Sequence, residues 1–173
     1  GKGGHAAMPQ TTIDPIIIGT KIVDAYQSIV SRYIDPQEPV VLSVTQFHGG
    51  DAYNVIPNEI EIKGTVRCFS TKVQASIEKQ MENLTSSICS AYGATYEFEY
   101  QHRYPPTINS AEEVETSLKV MNEISDESMI NTSPSPSMGS EDFAFMLQEK
   151  PGSYIWIGNG DGEGSCMLHN PGY

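Results

Sequence analysis

The chain has 173 residues, 38% of them apolar, and carries 22 Asp and Glu against ten Lys and Arg for a net charge of −12. That length holds one domain or two small ones around a packed core, and the composition is that of a globular protein rather than a fibrous or disordered one. Ten cations are too few for counterion-release binding to a phosphate backbone, which argues against nucleic acid, and no apolar run approaches the roughly 20 residues that cross a bilayer.

The chain opens on Gly1-Lys2-Gly3-Gly4-His5, without a signal-like segment, and a first strand is expected to lead into Gly1. Asp14-Pro15 marks a helix start, with proline in the first turn where no amide hydrogen is required. Ile18, Ile22, Ala25/Tyr26, Ile29 and Tyr33 then recur at helical spacing, predicting a helix over 13–34 with one buried face. Residues 40–48 are β-branched and alternating, and in 59–69 Ile60, Ile62, Gly64, Val66 and Cys68 alternate with Glu61, Lys63, Thr65 and Arg67. Both read as half-buried strands. The link between them, residues 49–58, is too long for a minimal hairpin. Val73, Ile77, Met81, Leu84, Ile88 and Ala91 predict a second helix, with Gly93 where a left-handed residue ends it. Tyr96, Phe98, Tyr100 and His102 alternate with Glu97, Glu99 and Gln101, which reads as a last strand over 95–102.

The order strand, helix, strand, strand, helix, strand predicts an α+β fold. Residues 1–104 would form a ferredoxin-like, two-layer βαββαβ sandwich. From Tyr104-Pro105-Pro106 the pattern changes. Ser110-Ala111-Glu112-Glu113 reads as a capping box opening a helix with Val114, Leu118 and Met121 inward. A short helix over 140–149, an apolar strand over 154–157 and a Gly/Asp-rich loop then lead to His169. Residues 105–173 hold too little apolar periodicity for an independent core, so they are expected to be an incomplete part of a larger α/β domain.

His5 and His169 each sit in Gly/Pro-punctuated loops, where an imidazole is free to meet a metal, a proton or a developing oxyanion. A catalytic zinc site needs three or four ligands, and Glu141 and Asp142 alone do not complete one around His169. Cys68, Cys89 and Cys166 form neither a disulfide framework nor a Cys-x-x-Cys pair, which points to a reducing cytoplasm. His48 and His102 read as structural or surface residues. The glycine-rich run 158–164 opens no helix and lacks the calcium-loop pattern, so it reads as a connector.

Gly3-Gly4-His5-Ala6-Ala7-x-Pro9, Tyr53-Asn54-Val55-Ile56-Pro57, Gly64-Thr65-Val66-Arg67, Met138-Gly139-Ser140-Glu141-Asp142-Phe143 and Leu168-His169-Asn170-Pro171-Gly172-Tyr173 stand in one order. Together they resemble the second half of the di-metal aminoacylase/carboxypeptidase family, and within it hippurate hydrolase-like N-acyl-amino-acid amidohydrolases. The resemblance implies a lid domain that dimerises, residues 1–104, followed by the C-terminal portion of a metallohydrolase catalytic domain, residues 105–173. It implies two divalent metal ions, zinc first among zinc, manganese, cobalt and nickel, with His169 as the last ligand. His5 would stabilise the oxyanion in a partner subunit's site, Asn54 and Arg67 would bind substrate, and Glu141 would support the metal-site loop. The family's other ligands and its catalytic Glu-Glu pair match nothing in the chain, so the chain alone is expected to be inactive.

The activity so implied is metal-dependent hydrolysis of the amide bond of an N-acyl amino acid by a homodimer. Two alternatives stand beside it: a non-catalytic dimerisation or small-molecule-binding module, and a dipeptidase or metallocarboxypeptidase of the same family.

Overall fold

Asp14 starts the first helix by accepting a hydrogen bond from the Ile16 amide at 2.9 Å, while Pro15 fills the first turn. In the computed structural model, which describes residues 1–160 with 162, 165, 166 and 171, this helix, α1, spans Pro15–Ser28 and passes into a π-helical turn, Ile29–Tyr33. Ile18, Ile22, Tyr26 and Ile29 are buried as their spacing predicts, whereas Tyr33, in the π turn, is exposed. The chain divides into two units, Gly1–Pro106 and Thr107–Tyr173.

In the first unit β2, Val40–His48, pairs antiparallel with β4, Glu61–Cys68, from Val40 opposite Cys68 to His48 opposite Glu61. The register shifts between Val44 and Gln46, so Thr45 is an extra residue in the ladder. Gly64 sits at the tightest point, where a Cβ would stand 2.4 Å from the Ser43 carbonyl oxygen. Two short strands, β1 at Gly4–His5 and β3 at Val55–Ile56, form a second antiparallel pair. The long link between β2 and β4 therefore does more than connect them, because its middle pairs with the amino-terminal segment.

Helix α2, Thr71–Tyr92, is capped at one end by Ser70, whose hydroxyl accepts from the Val73 amide at 3.3 Å. At the other end Gly93 adopts φ +69°, and the Ala94 amide donates to the Cys89 carbonyl at 2.9 Å. Ile77 and Cys89 join the buried residues of α1, and Val40, Leu42, Val44 and Val66 from the β2–β4 ladder pack against them. Between the helices the Tyr26 and Thr85 hydroxyls meet at 2.6 Å. Thr85 spends its own proton on the Met81 carbonyl at 2.8 Å, so Tyr26 is the donor.

The four-stranded βαββαβ sandwich is not what the described residues form. Residues 95–102 pair with no strand, and the two ladders have two strands each. In a split βαβ order the first strand separates the third from the fourth. With β1 only two residues long, the segment 95–102 has no ladder to join. It is tied to α2 instead: His102 Nδ1 lies 3.2 Å from Gln74 Oε1 and Nε2 lies 3.0 Å from Glu78 Oε2. Tyr100 also bonds Gln74, and burial pushes its phenol up.

In the second unit α3, Ala111–Ile124, turns Val114, Leu118 and Met121 to its half-buried side. The predicted capping box does not form, because the Ser110 hydroxyl accepts from the Gly152 amide at 3.3 Å instead of capping its own helix. Helix α4, Phe143–Glu149, is three residues shorter than predicted. Tyr154–Ile157 pairs with no strand. Its first residue is held by the Asn109 side chain, which accepts from the Tyr154 amide at 2.8 Å and donates to the Tyr154 carbonyl at 2.9 Å. The α/β expectation for this region is therefore met by helices and no strand among the described residues. Among them, no helix is long and apolar enough to cross a membrane.

Candidate active site

His5 is placed by glycines. A Cβ at Gly3 would stand 2.5 Å from the Ile56 carbonyl oxygen, so only glycine lets the two backbones meet here. The Gly3 amide also donates to Asn58 Oδ1 at 2.9 Å. The β1–β3 ladder then sets His5 opposite Val55, and the Ala6 amide donates to the Asn54 carbonyl at 3.0 Å. Two candidates some fifty positions apart in sequence are neighbours in the fold.

The His5 ring is oriented by its own turn. Its Nδ1 accepts from the Ala7 amide at 3.0 Å, which leaves Nε2 to carry the proton in the neutral ring. The imidazole is exposed, as is the side chain of Asn54. The Nε2–H so fixed is a donor able to bind a carbonyl or an oxyanion, and Asn54 meets this segment through its backbone carbonyl.

Arg67 is exposed in β4 opposite Val41 and has no ion pair among the described residues. Arg67 stands in the β2–β4 ladder, whereas His5 stands in the β1–β3 ladder.

In the second unit Glu141 is half-buried just before α4, and its carbonyl accepts from the Ala144 amide at 3.3 Å. Burial first, then the nearby Glu141 carboxylate and the charge of Asp142, push the Tyr154 phenol up. Asp142 is exposed and caps nothing with its side chain. His169 lies outside the described residues. Among those described, no three His, Cys, Asp or Glu side chains are grouped to hold a metal ion, so they do not by themselves fit a metal centre.

Tyr154 reads as the start of an apolar strand, but Asn109 holds its backbone and its ring lies 5.7 Å from Phe143 and 6.4 Å from Trp156.

The comparisons with known proteins show the family of the chain. The family model for peptidase family M20/M25/M40 matches residues 4–173. An N-acyl-L-amino acid amidohydrolase of Geobacillus stearothermophilus is 53% identical over 109 residues, 63% of this chain and 30% of that protein. Thermostable carboxypeptidase 1 of Saccharolobus solfataricus is 37% identical over 171 residues, 98% of this chain and 42% of that protein. The Bacillus subtilis YXEP protein, described as a dinuclear metal binding peptidase from the M20 family, matches with a TM-score of 0.61 at 26% identity over 80% of this chain and 35% of that one. The chain spans less than half the length of these relatives. It carries the mixed helix and strand fold of this group and belongs to the peptidase family M20/M25/M40.

Proposed function

We propose that this chain is part of a metal-dependent amidohydrolase that cleaves the amide bond of N-acyl amino acids, with hippurate-like compounds as substrates. The observation that carries the reading is the orientation of the His5 ring, whose Nδ1 is occupied by the Ala7 amide so that Nε2 is left as the donor. A donor so fixed stabilises the oxyanion that develops on the amide carbonyl, an effect worth about 10²–10³ in rate. Asn54 contacts the substrate beside it, and Arg67 pairs with a substrate carboxylate through its planar fork. His5 serves the second subunit of a homodimer built through residues 1–104. Metal dependence is part of the proposal, with zinc first and His169 as this chain's donor; the described residues assemble no metal site of their own.

The 53% identity to an N-acyl-L-amino acid amidohydrolase supports this substrate class. The match to a carboxypeptidase over nearly the whole chain favours a second reading, cleavage of a peptide bond next to a free carboxylate. Turnover of hippurate and of a matched dipeptide by the full-length enzyme separates them. Hippurate hydrolysis abolished by chelator and by His5→Ala is the expected result; hydrolysis untouched by both treatments refutes the proposal.

A further inference from the structure

His5 can aim at a reacting carbonyl only as firmly as its own strand is held, and that strand is short. β1 pairs with β3 over two residues, and neither strand joins the β2–β4 ladder. A two-stranded pair that short is marginal in water by itself, so what surrounds it must supply the rigidity. One support is backbone. The Lys2 amide donates to the Ile13 carbonyl and the Ile13 amide to the Lys2 carbonyl, each at 2.9 Å, one residue before the Asp14 cap of α1. Lys2 spends both backbone groups there and has none left to extend the pairing with β3. The other support is a side chain: Asn58 Oδ1 accepts from the Gly3 amide at 2.9 Å. Gly3 lies two residues before His5, and Asn58 lies three residues before β4 begins at Glu61. The two segments are already in contact at this point, since a Cβ at Gly3 would stand 2.5 Å from the Ile56 carbonyl oxygen and 3.1 Å from the Asn58 amide nitrogen.

We propose that Asn58 is a positioning residue for the hydrolysis: its side-chain oxygen ties the His5 strand to the start of β4 and so sets where Nε2 points. This rests on the amidohydrolase reading and on His5 as its oxyanion donor. Such a donor acts on charge that develops only in the transition state, so a shift in its position lowers kcat and leaves KM in place.

The test uses the full-length enzyme and hippurate. Asn58→Ala removes the acceptor and should lower kcat about tenfold, part of the roughly 100-fold that an ångström of misplacement costs, with KM within about twofold of the parent. Asn58→Asp keeps an oxygen acceptor and should restore kcat to within about threefold. Asn58 is exposed, so both variants should keep the parent melting temperature. Wild-type kcat in Asn58→Ala, a change carried mainly by KM, or a loss that Asn58→Asp does not restore overturns the proposal. Amide hydrogen exchange reads the contact without turnover: residues 1–8 should exchange faster in Asn58→Ala and return to the parent rate in Asn58→Asp. Superimposable exchange in an active enzyme overturns the positioning role alone. A wild-type enzyme that hydrolyses no N-acyl amino acid refutes the amidohydrolase reading and this role with it.

Discussion

The two units carry equal acidity and unequal cores. Residues 1–106 set eleven carboxylates against eight cations, and residues 107–173 set eleven against two. The first unit buries Ile18, Ile22, Tyr26, Ile29, Ile77 and Cys89 together, whereas in the second only Ala144 is buried among the described residues. There Ile124 is 79% exposed, Trp156 64% and Ile157 87%. The lesson is a division of labour: the first unit holds the His5 segment on a core of its own, while the second ties 109–110 to 152–154 by hydrogen bonds and gathers Phe143, Tyr154 and Trp156 by aromatic contacts.

The contrast can be broken by substitution. Ile77 is 0% exposed, so Ile77→Ala should cost about 2–5 kcal/mol, read as a lower urea midpoint. A loss below about 1 kcal/mol would show that the first unit has no tight core. Gly3→Ala should come next. Its Cβ meets the Ile56 carbonyl oxygen, forcing β1 from β3 at a cost of about 1–3 kcal/mol. Moving His5 by an ångström should slow the full-length enzyme about 100-fold. Unchanged turnover would mean that the β1–β3 contact does not aim the imidazole.

Tyr26→Phe removes a buried donor and should cost about 1 kcal/mol near neutral pH. It also sharpens the comparison through pH. Burial raises the Tyr26 phenol, so the native state keeps its proton where the unfolded chain has lost it. The stability this contributes is complete below the unfolded value of about 10 and is lost as pH rises above that value through the folded one. Burial raises the Cys89 thiol likewise, starting the decline from about pH 8.5. Thermal melts from pH 8 to 11 should show Tyr26→Phe losing less stability above about pH 10 than the parent; parallel curves would contradict the assignment. The smallest effect belongs to the second unit. Ile157→Ala should change chain stability by less than about 0.5 kcal/mol, and a larger loss in the same melts would reveal a core there.

Much of the fold was legible because its signals are local. The Asp14-Pro15 start and the Gly93 stop act within a few residues, and α1, β2, β4 and α2 lie close to where periodicity placed them. The site was legible as residue types in motifs, but not as a geometry. Nothing near His5 in sequence announces Asn54, whose neighbourhood depends on a ladder across the β1–β3 pair.

What the sequence by itself determined is therefore the helices α1 and α2, the strands β2 and β4, the faces they bury and the family to which the motifs point. Tertiary structure decided what depends on partners far along the chain. The alternation of 95–102 satisfies a strand's side-chain requirement, but a ladder needs a neighbour, and α2 took the segment instead. The Ser110 hydroxyl left its cap for Gly152, and the Asn109 side chain found the Tyr154 backbone, for the same reason. A hydrogen-bonding group goes to the acceptor or donor that packing brings within about 3 Å, and periodicity along the chain carries no record of which one that will be.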